Sequence, residues 1–179
     1  MYNKATINQV ADVVRKILDY KDPPYDPVDA VNKLNGIIDN EVADVAIDAS
    51  IERCKKNGKA FIIHLNKEKP FLRTRFSIAH ELGHLFLHMG YRTPRWENTE
   101  ECFKDSVYYR YERMPGTYTT EESEANEFAA AFLMPMEEFK KAVYDNTSDG
   151  IVDFLKVAEK FEVSTEAALN RARFSGITG

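Results

Sequence analysis

Cysteine is scarce in this chain. Cys54 and Cys102 are the only two among 179 residues, and they show no C-x-x-C spacing. That argues against a disulfide framework and against a cysteine-built zinc site, and it predicts two free thiols in a reducing compartment. Long apolar runs are missing too, since no stretch approaches the roughly eighteen residues expected of a membrane-crossing helix. An excess of positive charge is also lacking: 24 Lys and Arg stand against 29 Asp and Glu, for a net charge of −5. A sequence-independent nucleic-acid binder would usually be basic, so no direct nucleic-acid contact is expected. The opening residues M-Y-N-K-A-T-I-N-Q hold no apolar signal-peptide core. A cytoplasmic, soluble protein without membrane contact is therefore expected.

What is present suits an ordinary globular chain, with 44% hydrophobic and 30% charged residues. A chain of this length can bury a core without disulfides. Ile7, Val10, Val13, Val14, Ile17 and Leu18 recur at helical spacing and predict a helix over 7–20. A short helix follows from Pro27 and ends at Asn35-Gly36. Residues 37–65 read as strands at Ile37-Ile38, Val42 to Ile47 and Ala60 to Leu65, with Asn57-Gly58 as a hairpin turn and antiparallel pairing. Helical patterning resumes at Phe71 and runs to about Met89, where Gly90 is a natural stop. Residues 91–120 have no clear period. Helices are expected again over 120–134, 136–144, 151–160 and 164–174.

The informative string is R-F-S-I-A-H-E-L-G-H-L-F-L-H, residues 75–88. Positions i and i+4 of a helix lie roughly 40° apart around the axis and about 6 Å along it. His80 and His84 can therefore place ring nitrogens on one ion, with Glu81 about a quarter turn away. This is the H-E-x-x-H arrangement of zinc peptidases, in which the carboxylate acts as general base. A chance pattern on a buried helix is the rival reading. It is disfavoured because Ile78, Ala79, Leu82, Leu85, Phe86 and Leu87 bury that helix almost all round, and burying polar groups without purpose is costly. His88, at i+8, lies about 12 Å from His80 along the axis and cannot share the ion with both histidines. His88 and His64 are read as rim or core histidines.

A catalytic zinc takes a third protein ligand, here expected to be a carboxylate on a second helix. The string T-T-E-E-S-E-A-N-E-F-A-A-A-F-L-M-P offers Glu121, Glu122, Glu124 and Glu127. Glu122 shares a face with Ala125, Asn126, Ala129 and Leu133, which favours it, with Glu124 the alternative. Asn126, one turn on, is placed to hold a zinc histidine by its free ring nitrogen. A capping box between Thr119 and Glu122 would need no metal.

These two strings together resemble the ImmA/IrrE family of metallopeptidases. Asp26-Pro27-Val28 and residues 151–171 extend the likeness more weakly. The resemblance implies that Glu122 is the third ligand, with Asn126 completing the family's E-x-x-x-N pattern. It implies an α+β fold of the thermolysin-type gluzincins: a mainly helical zincin-like domain with a small antiparallel sheet packed on the H-E-x-x-H helix. It further implies cytoplasmic proteolysis of a DNA-binding repressor.

The expectation is thus a zinc endopeptidase that spans 1–179 as one domain, with 150–174 as a C-terminal helical appendage. Its partner would be a helix-turn-helix repressor whose cutting relieves repression. An oxyanion stabiliser is also required; His64, His88, Tyr108, Tyr109, Tyr111 and Tyr118 are candidates. Two rival functions remain: a non-proteolytic zinc-containing regulator, and a toxin–antitoxin or prophage interaction protein. An intact Glu81 counts against both, because binding needs no general base. Residues 151–174 could be mistaken for a DNA-binding helix-turn-helix, with Arg171 and Arg173 as sources of charge, but the overall charge and sparse lysines favour a packing or partner-binding appendage.

Overall fold

The computed structural model describes residues 1–40, 48–54, 58–66, 68–97 and 120–177. The chain is α+β and mostly helical. Helix α1 (Lys4–Ile17) starts where the Asn3 side chain accepts the Thr6 amide hydrogen at 2.8 Å. Helix α2 (Pro27–Lys33) starts at Asp26, whose side chain accepts from Val28, with Pro27 pre-set for the first helical position. Asn35 takes the left-handed conformation that ends α2, at φ +62°.

Strands β1 (Gly36–Asp39), β2 (Ala49–Arg53) and β3 (Phe61–Leu65) form one sheet in the order β1-β3-β2. The expected antiparallel pairing holds for β2 and β3, with Ile51 opposite Ile63. It fails for β1, which runs parallel to β3 with Ile38 opposite Ile63. The sheet is therefore mixed. Period-two alternation is the same in either direction, so residue pattern alone does not fix strand direction. Ala49, Ile51, Phe61, Ile63 and Leu65 are buried, and the sheet packs on helix α3 (Phe71–Gly83). The strand expected over Val42 to Ile47 lies outside the described residues, as does Asn57 of the expected turn.

Helix α3 does not run on as an α-helix to Met89. From His84 to His88 it widens into a π-helical turn, and the Met89 amide bonds the His84 carbonyl at 2.9 Å. Gly90, at φ +70°, then ends it as expected. A single helical turn, α4 (Pro94–Glu97), follows. Its Trp96 packs edge-on against Tyr91 and under the Arg53 guanidinium. Trp96 thus packs against the main core, while Phe103, Tyr108, Tyr109, Tyr111 and Tyr118 lie outside the described residues.

Helix α5 (Thr120–Leu133) packs along both α3 and α1. Two buried arginines satisfy the carbonyls at its C-terminal end. Arg15 donates to Ala131 and Phe132 at 2.6 and 3.0 Å, and Arg171 donates to Met134 at 3.1 Å. Helix ends leave such carbonyls unpaired, and positive charge there also suits the helix dipole.

Helix α6 (Met136–Asp145) leads into a two-residue hairpin, β4 (Thr147–Ser148) and β5 (Ile151–Val152), turned by Asp149-Gly150. Helix α7 (Phe154–Phe161) consequently begins three residues later than expected, at the Asp153 cap. Helix α8 (Thr165–Phe174) starts at Ser164. Val157, Ala158, Phe161, Ala168 and Ala172 are buried in the same core as Ile7, Ile63, Leu82 and Phe128. Arg171 is buried too and engages Glu127 at 2.9 Å, so it offers no charge to the surface.

Candidate metal centre

Two helices make this site, and they meet unusually closely. A Cβ added at Gly83 would stand 3.0 Å from the Ala125 Cα and 3.1 Å from the Ala125 carbonyl oxygen. Glycine's missing side chain lets α3 and α5 approach so near, and a methyl there would require its neighbours to give by a few tenths of an ångström. That approach brings His80 and His84 opposite the first turns of α5.

His80 and His84 are buried, with side chains 1% and 0% exposed, while Glu122 keeps 20% of its side chain accessible. Their ligating atoms converge. His80 Nε2 lies 3.1 Å from His84 Nε2 and 3.3 Å from Glu122 Oε2, and His84 Nε2 lies 3.2 Å from Glu122 Oε1. Four tetrahedral ligands about 2.0–2.1 Å from an ion stand about 3.3 Å from one another. Two imidazoles and a carboxylate at such separations are a donor set that suits zinc.

Electrostatics favour the ligating forms. Burial pushes the His84 imidazole down in pKa, only partly offset by Glu122, and so keeps it neutral. Burial alone would push the Glu122 carboxyl up. Hydrogen bonding to His80 and His84 outweighs it and holds the group well below the usual carboxylate range.

Each glutamate of α5 has a separate destination. Glu121 is exposed. Glu127 accepts from Asn8 and Arg171 and belongs to the clamp between α1, α5 and α8. Glu124 is buried and lies 3.1 Å from His88 Nε2. Glu122 alone of the four turns to the histidine pair. Glu81 is fully buried on α3 beside His80. Asn126 Oδ1 lies 3.0 Å from His80 Nδ1 and can accept a hydrogen from it.

His88 is neither a rim histidine nor a member of the triad. Its Nδ1 lies 2.9 Å from His84 Nδ1 and its Nε2 faces Glu124, so it stands directly behind a candidate ligand. Helical spacing keeps it out of the triad. It gives no hint of this contact, which depends on the π turn and on α5. His64 is far less buried, with ring nitrogens 3.1 Å from Asp39 and 3.3 Å from Glu52 across the sheet.

Residues 44–173 match the model of a peptidase family described as the IrrE N-terminal-like domain. The chain belongs to that family. No curated protein matches it. Among solved structures it is similar to a Mycobacterium tuberculosis transcriptional regulator, at 17% identity and a TM-score of 0.59. That likeness covers 93% of this chain and 46% of the regulator, and at such identity it is a likeness of fold. The chain spans less than half of the regulator's length. No described helix is long and apolar enough to cross a membrane.

Proposed function

We propose, with membership of this peptidase family as the premise, that the chain is a zinc-dependent endopeptidase. The observation that carries the reading is the convergence of His80, His84 and Glu122, whose ligating atoms all lie within 4.8 Å of one another. These three residues would hold the metal. Zinc bound there would polarise the scissile carbonyl and lower the pKa of an attacking water to about 7. Glu81 would accept a proton from the attacking water and return it to the departing amine. Asn126 holds the His80 ring in the tautomer that ligates. The rival in which zinc is only a structural staple needs no general base at this position.

The substrate we propose is a cytoplasmic helix-turn-helix repressor, whose cutting would relieve repression. The resemblance to the ImmA/IrrE family supports this, and so does the regulator-like fold. The test is incubation of the zinc-loaded protein with candidate repressors, read by mass spectrometry. One defined cut, lost with a chelator and regained with zinc, is expected. Rapid, unselective degradation of casein would contradict it.

A further inference from the structure

The three candidate ligands meet solvent differently. His80 and His84 are sealed between α3 and α5, and Glu81 beside them is buried to both carboxylate oxygens. Of the three, Glu122 alone keeps more than a trace of accessible side chain. An ion arriving from solvent therefore meets Glu122 before either ring.

Glu122 also stands on the least secured part of its helix. From Glu124 onward α5 is held along its length. Glu124 is pinned between His88 Nε2 and the Tyr2 backbone N–H, which it accepts at 2.5 Å. Ala125 lies against Gly83, and Phe128, Ala129, Phe132 and Leu133 are fully buried. Arg15 and Arg171 hold the carbonyls at the far end. Before Glu124 the picture reverses, since Thr120, Glu121 and Ser123 are all exposed. The first N–H groups of a helix have no partners within it, and helix ends fray at little cost. Fraying of this turn would swing Glu122 outward about Glu124, while His80 and His84 stay fixed on α3.

We propose, resting on the reading of His80, His84 and Glu122 as a metal site, that the first turn of α5 is the door of that site. Glu122 captures the ion while the turn is open and delivers it to the two rings as the turn rewinds; release runs in reverse. The turn is wound both before and after loading. Loosening it therefore favours opening equally in both states, so uptake and release quicken together while affinity holds.

Glu121 is the handle for a test, because it is exposed and belongs to the turn without being a candidate ligand. Glu121→Ala removes its charge and keeps a strong helix former. Glu121→Gly removes the same charge and loosens the turn, by about two- to fivefold in the winding equilibrium. Stopped-flow mixing of metal-free protein with zinc reads uptake, and mixing of loaded protein with a coloured chelator reads release. A zinc competition titration reads affinity for wild type, both variants and His84→Ala. Both rates should be about two- to fivefold faster in Glu121→Gly than in Glu121→Ala, at equal affinity. Wild-type release should level off as the chelator concentration rises, because opening limits it. Equal rates in the two variants, a loss of affinity carried by release alone, or wild-type release that climbs in proportion to chelator would each overturn the door and leave the metal site standing. Full zinc binding by His84→Ala would overturn the metal reading and the door with it.

Discussion

Glu122 and Glu124 sit two residues apart on one helix and face different partners, so truncating them should have unequal effects. In the proposed site Glu122 supplies a ligand oxygen and Glu124 supplies none. Glu122→Ala is therefore expected to weaken zinc binding far more than Glu124→Ala, in the same competition titration; equal affinities would assign the wrong carboxylate. A third acid, Asp48, tests stability instead. It is buried and bonds Arg73 at 2.6 and 2.9 Å and Lys69 at 3.1 Å, tying the start of β2 to the head of α3. Burial would raise its pKa, but these two cations outweigh it and hold it below the ordinary value. A folded-state pKa below the unfolded one gives stability that is present above the unfolded value, about 3.9, and is lost as pH falls through the folded one. Asp48→Asn should thus cost about 1–2 kcal/mol near neutral pH, the worth of hydrogen bonds to a charged group with one half-exposed partner. That gap should shrink below about pH 4. A gap independent of pH in denaturant titrations would contradict this account.

At the scale of elements, Gly83 decides how close α5 comes to α3. Alanine usually stabilises a helix relative to glycine by about 1 kcal/mol. Here its methyl would press on the α5 backbone at Ala125, between Glu122 and Asn126. Gly83→Ala is expected to destabilise by about 1–3 kcal/mol, the usual cost of overpacking, and to weaken zinc binding by displacing Glu122. A rise in melting temperature with unchanged zinc affinity would contradict the close contact. Elements built on local periodicity were legible in the sequence: α1, α5, α6 and α8 fall within a few residues of expectation. The i, i+4 histidines were legible for the same reason, since one turn of helix brings them together without help from the rest of the fold. The parallel β1–β3 pairing was not, because direction is a tertiary choice. Nor was β2, whose A-S-I-E-R carries a single strong strand former. The π turn leaves no mark in H-L-F-L-H, and without it the contact of His88 with His84 and Glu124 could not be foreseen.

Across the whole molecule, the helices of the candidate site are braced by distant segments. Arg75 of α3 donates to the Glu162 carbonyl at 3.1 Å and the Tyr25 carbonyl at 2.8 Å, joining the α7–α8 turn and the entry to α2. Arg171 of α8 holds the end of α5, and Phe161 of α7 packs on Phe139 of α6. We propose that residues 151–174 are an integral part of one folding unit rather than an appendage. A chain of residues 1–150 would lack Arg171 and expose the Phe139 face. It should show no cooperative thermal transition near that of the full chain. A wild-type melt with zinc bound would make those residues dispensable.

The enzymatic reading rests on Glu81, which in the proposed mechanism moves a proton and does not hold the metal. Glu81→Gln keeps its shape and can still hydrogen-bond, but it cannot accept that proton. The decisive measurement is the rate of repressor cutting by Glu81→Gln, taken beside its zinc content and melting temperature. Zinc and stability should stay near wild type while cutting falls by about 10²–10⁴-fold, the usual worth of a positioned acid–base group. Full cutting by a zinc-loaded Glu81→Gln protein would contradict the account.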